Sequence, residues 1–343
     1  MVNKNHNLNI IFKFGIIYGS IMRIGLTTTV PVEPIFAGNH IPTDLNNIFI
    51  TSENPEYYVE KAEVDGFPYN SCSWIKGLYS VALNKGFDAV IGVVRGDCSN
   101  TESLLDFLSF KGIKVIPFSF PYDKSRKKLE DEIKRFIELL ESNEDSMKNT
   151  IDIVDKARRL AWIIDELTLK DLVSGLENHY YLVNTSDFFG DISVYIKKAE
   201  NFIKEANNRN KIEYNLRIGY IGVPPIFTDI YNFLEKNGVH VVFNEVQRQF
   251  SMPFPEKDWI DKYLEYTYPY TVQDRLRDIK NEIGKRKIEG IIHYVQSFCH
   301  RQIIDYIIKD SIDIPVLTIE GNRPGVLDER TKIRIESFID MLL

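Results

Sequence analysis

Apolar residues fall into two patterns along this chain. The first is a short run rich in Val and Ile. It occurs at residues 23–29 (RIGLTTT), 88–94 (DAVIGVV) and 114–120 (KVIPFSF), and again at 217–223, 239–246, 290–296 and 314–319. Such runs predict strands buried on both faces. The second pattern spaces apolar residues three and four apart, as in NTESLLDFLSFKG, IFTDIYNFLEKNG and RQIIDYIIKD. That spacing predicts helices, and a closing Gly is a usual helix stop. Strands alternating with helices predict an α/β fold with parallel sheets covered on both sides. Residues 124–210 lack strong strand runs and carry helical spacing throughout, which predicts a helical connection. Within it, Trp162, Tyr180 and Tyr181 are expected to pack between helices. The expected division is residues 22–123 and 211–343 as two α/β domains joined by 124–210.

The two strand groups read as an internal repeat. Laying Cys98 over Cys299, an offset of 201, puts Asp88 on Glu289, Ile113 on Ile314 and Val115 on Val316 without a gap. MRIG at Met22 matches LRIG at Leu216 at an offset of 194. Met22 is therefore read as the opening of the first strand, and residues 1–21 as a start-site extension. The apolar segment 8–22 carries Lys13, is too short and interrupted for a membrane span, and lacks a signal-type cleavage pattern.

Composition narrows the function classes. A chain of 343 residues suggests about two domains. A formal charge of -7 points to neither nucleic acid nor an anionic membrane as a partner, and the short basic run KSRKK is balanced by LEDE. Three widely separated cysteines argue against a disulfide framework and for a reducing, cytoplasmic setting. No Gly-x-x-x-x-Gly-Lys-Ser/Thr loop is present, so any ATP hydrolysis belongs to a partner.

Those cysteines are the candidate chemistry. Cys98 and Cys299 each follow a predicted strand and precede a predicted helix, and Cys72 lies in a Gly- and Pro-marked loop entering another helix. Ligands of open parallel sheets sit beyond the carboxyl ends of strands. Helix N-termini favour thiolate, the form that ligates metal. Two metal readings remain open on spacing. A zinc site would need His293 or His300 to complete the ligand set. An iron–sulfur cubane would take the three thiols and leave one iron open.

The chain resembles the 2-hydroxyacyl-CoA dehydratase D-component family, which also includes benzoyl-CoA reductase subunits. The resemblance rests on an ordered set of segments: VPVEPIFAGNHIP (30–42), PYNSCSWIKG around Cys72, VVRGDCSNTESLLDFL around Cys98, YVQSFCHRQ around Cys299, the Pro315, Leu317, Glu320 pattern, and RTKIRIESFIDML at 330–342. It implies two flavodoxin-like domains with a 4Fe-4S cluster between them, held by Cys72, Cys98 and Cys299. It implies a pair of like subunits, a homodimer or a heterodimer with a paralogue, and a separate ATP-dependent iron–sulfur activator. The implied reaction is loss of water from an acyl-CoA-like substrate by way of a ketyl radical, without oxygen. The alternative is an iron–sulfur reductase or electron-transfer component of the same fold. Glu33, at the family's Pro-x-Glu position, Glu320 at a strand end, and His300 are the expected catalytic residues, with His40 a further proton donor. Ser99 and Asn322 stand where many members carry Asp, which leaves the substrate open.

Overall fold

A computed structural model describes residues 20–343. The start-site extension expected over residues 1–21 lies outside the described residues, save its last two. Strands β1 (Arg23–Leu26), β2 (Ile41–Asp44), β3 (Ala89–Arg95) and β4 (Lys114–Ser119) form one all-parallel sheet in the order β2-β1-β3-β4. Strands β5 (Leu216–Gly222), β6 (Val239–Asn244), β7 (Gly290–Gln296) and β8 (Val316–Gly321) form a second in the equivalent order β6-β5-β7-β8. This is the α/β class that the strand pattern predicted, and the strand order is that of flavodoxin-like domains. The central strands are buried along nearly their whole length, as continuous apolar runs require when helices cover both faces.

The repeat extends to individual hydrogen bonds. Ala89 pairs with Lys114 and Ile291 with Val316, the same sequence separation in each sheet. The Asp88 carboxylate accepts from the Arg23 backbone N–H at 2.7 Å, and the Glu289 carboxylate accepts from that of Arg217 at 2.9 Å. The guanidinium of Arg23 donates to the Lys85 carbonyl, and that of Arg217 to the Arg286 carbonyl.

Residues 124–210 are helical, with helices Arg126–Leu139, Glu144–Leu169, Gly175–Val183 and Ile192–Asn207. They do more than connect. Val154, Ala157, Ala161 and Ile164 of helix Glu144–Leu169 share one core with Ile24, Leu26 and Ile91 of the first sheet. A second core runs from Val90, Leu104 and Leu108 across to Ile218, Tyr220 and Ile292, so apolar packing joins the two halves directly. Trp162 and Tyr181 pack as expected: the indole N–H donates to the Ser251 carbonyl, and Tyr181 stacks on Phe202 with centroids 4.5 Å apart. Tyr180 departs from that expectation, because its ring is 44% exposed and borders a cavity. No helix among the described residues is long and apolar enough to cross a membrane.

Candidate functional site

The carboxyl ends of both sheets open on one cavity of about 590 Å³. Thr27 and Thr28 follow β1, Asp44 ends β2, Asp97 and Cys98 follow β3, and Val223 follows β5; Gln296 ends β7, with Cys299 three residues on. This is the switch-point crevice in which doubly wound sheets bind ligands. Two glycines let the chain turn there. Gly96 has φ +100, and a Cβ on it would lie 2.7 Å from the Pro269 side chain. Gly222 has φ +96, and a Cβ would lie 2.2 Å from the Tyr294 carbonyl. Both conformations favour glycine.

Cys72, Cys98 and Cys299 all line this cavity. Cys72 is the N-cap of helix Ser73–Asn84, Cys98 lies two residues before helix Asn100–Phe110, and Cys299 is the N-cap of the 3-10 turn His300–Ile304. The Cys98 Sγ accepts the Asn100 backbone N–H at 3.4 Å. Electrostatics reverse the expected effect of these helix starts. Burial pushes the Cys72 thiol up to about 11, and burial together with Asp97 pushes Cys98 up to about 12. Cys299 is also raised by burial. Desolvation outweighs the backbone N–H groups at all three thiols. Among the described residues, no three His, Cys, Asp or Glu side chains are placed to hold a single metal ion. The three thiols are nonetheless close enough to feel one another's charge, Cys72 that of Cys299 and Cys98 those of both. A single zinc ion needs ligands converging within about 2.3 Å of one point. A polynuclear cluster takes each thiol on a different metal atom, so it does not need the three to converge on one point as a single ion does.

The remaining predicted residues are placed elsewhere. Glu33 is fully buried and accepts from Arg158 at 2.8 Å and from the Tyr263 hydroxyl at 2.8 Å. It does not border the cavity. Glu320 is exposed, and its carboxylate accepts from the Ser297 hydroxyl at 2.6 Å, two residues before Cys299. His300 is exposed beside Cys299, with its basicity lowered by partial burial and Arg301. His40 is buried against the Met22 backbone N–H and is likewise lowered, chiefly by burial. None of these four lines the cavity.

Sequence reasoning missed several groups that do. Asp97, next to Cys98, is pushed up to about 6 by desolvation while Arg301 pulls the other way. Arg301, on the Cys299 loop, donates to the Tyr268 carbonyl at 2.9 Å and reaches the Gly96 carbonyl at 3.4 Å, tying the two thiol loops together. His179 enters from helix Gly175–Val183, which starts in a capping box formed by Ser174 and Glu177. That box is legible as S-x-x-E and fixes the helix phase that turns His179 to the cavity. Thr27 and Thr101 present buried hydroxyls with no protein partner. Apolar side chains such as Ile75, Leu78 and Phe227 make up much of the wall.

No curated protein matches the chain. The family model described as 2-hydroxyglutaryl-CoA dehydratase, D-component, matches residues 27–342, from the first cavity threonine to the last helix. With two parallel sheets, and with a family match that runs nearly end to end, the chain belongs to the 2-hydroxyglutaryl-CoA dehydratase D-component family.

Proposed function

We propose that this chain is a dehydratase subunit that holds a 4Fe-4S cluster on Cys72, Cys98 and Cys299 and removes water from a 2-hydroxyacyl thioester. The observation that carries this reading is that the chain's three thiols, from distant segments, border one cavity at the strand ends of both sheets. When bound, the cluster supplies a low-potential electron and an open iron position for a substrate oxygen.

The chain's own residues do the rest. The apolar walls exclude water, which strengthens every polar contact inside. Thr27 and Thr101 offer unpartnered hydroxyls to a polar ligand. Arg301 holds the Cys98 and Cys299 loops in fixed relation. Glu320 acts as a positioning residue through Ser297, and Glu33 braces the segment after β1 through Arg158 and Tyr263. A second subunit and an ATP-dependent iron–sulfur activator complete the assembly, in an oxygen-free cytoplasm.

Reconstitution with iron and sulfide under anaerobic conditions tests this. The expected result is a cluster signal in electron paramagnetic resonance of the reduced wild type, absent from the Cys→Ser variant at each of the three positions. Retention of a normal signal in all three variants would sink the assignment. Product analysis with activator and ATP then separates dehydration from reduction.

A further inference from the structure

A chain of fixed hydrogen-bond directions ends at His179. The Asp165 carboxylate is held ionised by Arg286 and Arg248, and it accepts from the Asn178 amide N–H at 3.0 Å. That leaves the Asn178 oxygen to accept from Asn244 Nδ2 at 2.8 Å. Asn244 Nδ2 also reaches the Gly175 carbonyl, an obligate acceptor, at 3.2 Å. Asn244 Oδ1 must therefore accept, and the Tyr231 hydroxyl donates to it at 2.7 Å. The Tyr231 oxygen then has only lone pairs left. Gln247 Nε2 lies 3.3 Å from that oxygen and 3.0 Å from His179 Nδ1, so it donates to both. Turning the Gln247 amide over would set its oxygen against the Tyr231 oxygen with no hydrogen between them. His179 Nδ1 is thus an acceptor, and the ring proton sits on Nε2. Burial pushes His179 down to about 4, so the ring is neutral at neutral pH.

The rest of the wall has no positive charge. No lysine or arginine among the described residues borders the cavity, whereas Asp44 and Asp97 do. Arg275 and Arg301 line a small adjoining recess that shares Gln296, Tyr268 and Cys299 with the cavity. Arg275 is already paired with Glu245, and Arg301 gives one terminal nitrogen to two backbone carbonyls while its Nε, on the recess rather than lining the cavity, has no partner among the described residues. A carboxylate entering this space would find only neutral donors, His179, Trp74 and the Thr27 and Thr101 hydroxyls among them, beside two acids, and a buried anion without a counter-charge is strongly disfavoured.

We propose that the acyl group taken by this cavity is uncharged and mostly apolar, with one oxygen seated on the His179 Nε2–H, and that an acyl chain ending in a second carboxylate is rejected. The identity of the ligand as an acyl thioester rests on the function proposed above; the charge and donor pattern of the cavity does not.

Three measurements on the full chain test this. Calorimetry with hexanoyl-CoA and adipoyl-CoA compares two six-carbon chains that differ by a terminal carboxylate. The uncharged one is expected to bind at least about tenfold more tightly. His179→Phe should weaken hexanoyl binding about fivefold to tenfold, the worth of one hydrogen bond, while His179→Gln, which keeps a donor, retains most of it. Nitrogen-15 NMR of the histidine-labelled chain should show the His179 proton on Nε2. Equal or tighter binding of adipoyl-CoA, or a proton on Nδ1, overturns the proposal. Hexanamide and the monoamide of adipic acid form a matched pair without CoA. If neither thioester binds but hexanamide is still preferred, the cavity inference stands and the acyl-CoA reading falls. If neither pair is discriminated, the inference falls.

Discussion

The two halves of the molecule place a cysteine at the same step of the same topology, yet the turns leading to it differ. After β3 the chain runs Arg95, Gly96, Asp97, Cys98; after β7 it runs Gln296, Ser297, Phe298, Cys299. Both turns need one left-handed residue, Gly96 at φ +100 and Phe298 at φ +63, one position apart in the alignment. In the first turn a half-buried acid faces Arg301; in the second a phenylalanine stands 47% exposed. The ladder fixes where each strand ends and so where each sulfur starts, while the connecting residues are free to differ. Cys72 has no cysteine counterpart in the second half. The site is therefore a repeat plus one unrepeated addition.

The largest expected effect asks whether the unrepeated thiol is equal to the repeated pair. Cys72→Ser should lose the cluster signal as completely as Cys98→Ser and Cys299→Ser. A Cys72→Ser protein with wild-type iron content would reduce the site to the repeat alone.

Next come two buried ion pairs, one in the segment after β1 and one directly after β6. Glu33 is bound by Arg158 at 2.8 Å, and Glu245 by Arg275 at 2.6 Å. Glu33→Gln and Glu245→Gln each leave a buried guanidinium unpaired, which costs about 3–5 kcal/mol in denaturant unfolding. A loss below about 1 kcal/mol in either would show that the two pairs do different work.

Acid separates the halves through their histidines. His240 is fully buried in β6 and pushed down to about 4 by burial, whereas His40, just before β2, is lowered in the same direction. A histidine with a folded pKa below its unfolded value of about 6.5 stabilises fully above that value. The stabilisation is lost as pH falls toward the folded pKa, about 2 kcal/mol by pH 5 for His240. The thermal midpoint should therefore fall between pH 7 and pH 5, and His240→Gln should flatten that slope more than His40→Gln. An unchanged slope in His240→Gln would remove the assignment.

The smallest effect is the sharpest test of the repeat. Asp88→Asn and Glu289→Gln each weaken one bond at a strand start, for about 0.5–1 kcal/mol apiece. Amide exchange at Arg23 and Arg217 should quicken by similar factors; a change at only one site would mean the two bonds are not equivalent.

Much of this organisation is legible in the sequence because parallel strands buried on both faces leave unbroken apolar runs. The run at 290–296 coincides with β7, and the other runs meet their strands within a few residues. β2 escaped because it is a four-residue edge strand, IPTD, with one face open and a proline that an edge tolerates. The cysteines could be singled out because thiols are rare and each preceded a helix. The cavity's far wall could not, because His179, Tyr180 and Tyr231 sit in ordinary amphipathic helices, and only the packing of helices Gly175–Val183 and Ile230–Lys236 on β6 turns them inward. Glu33 and Glu320 look catalytic in one dimension, since a motif records that a carboxylate is needed but not which arginine or serine it serves.

The wide spread of the sulfurs also bears on how the protein is made. Cys72 and Cys98 leave the ribosome some two hundred residues ahead of Cys299. During all of that synthesis only two of the three thiols exist, and the last arrives on a sheet that must first assemble and dock. On the proposed assignment, metal loading is thereby deferred until translation is nearly finished, and a prematurely terminated product would offer no complete cradle for iron.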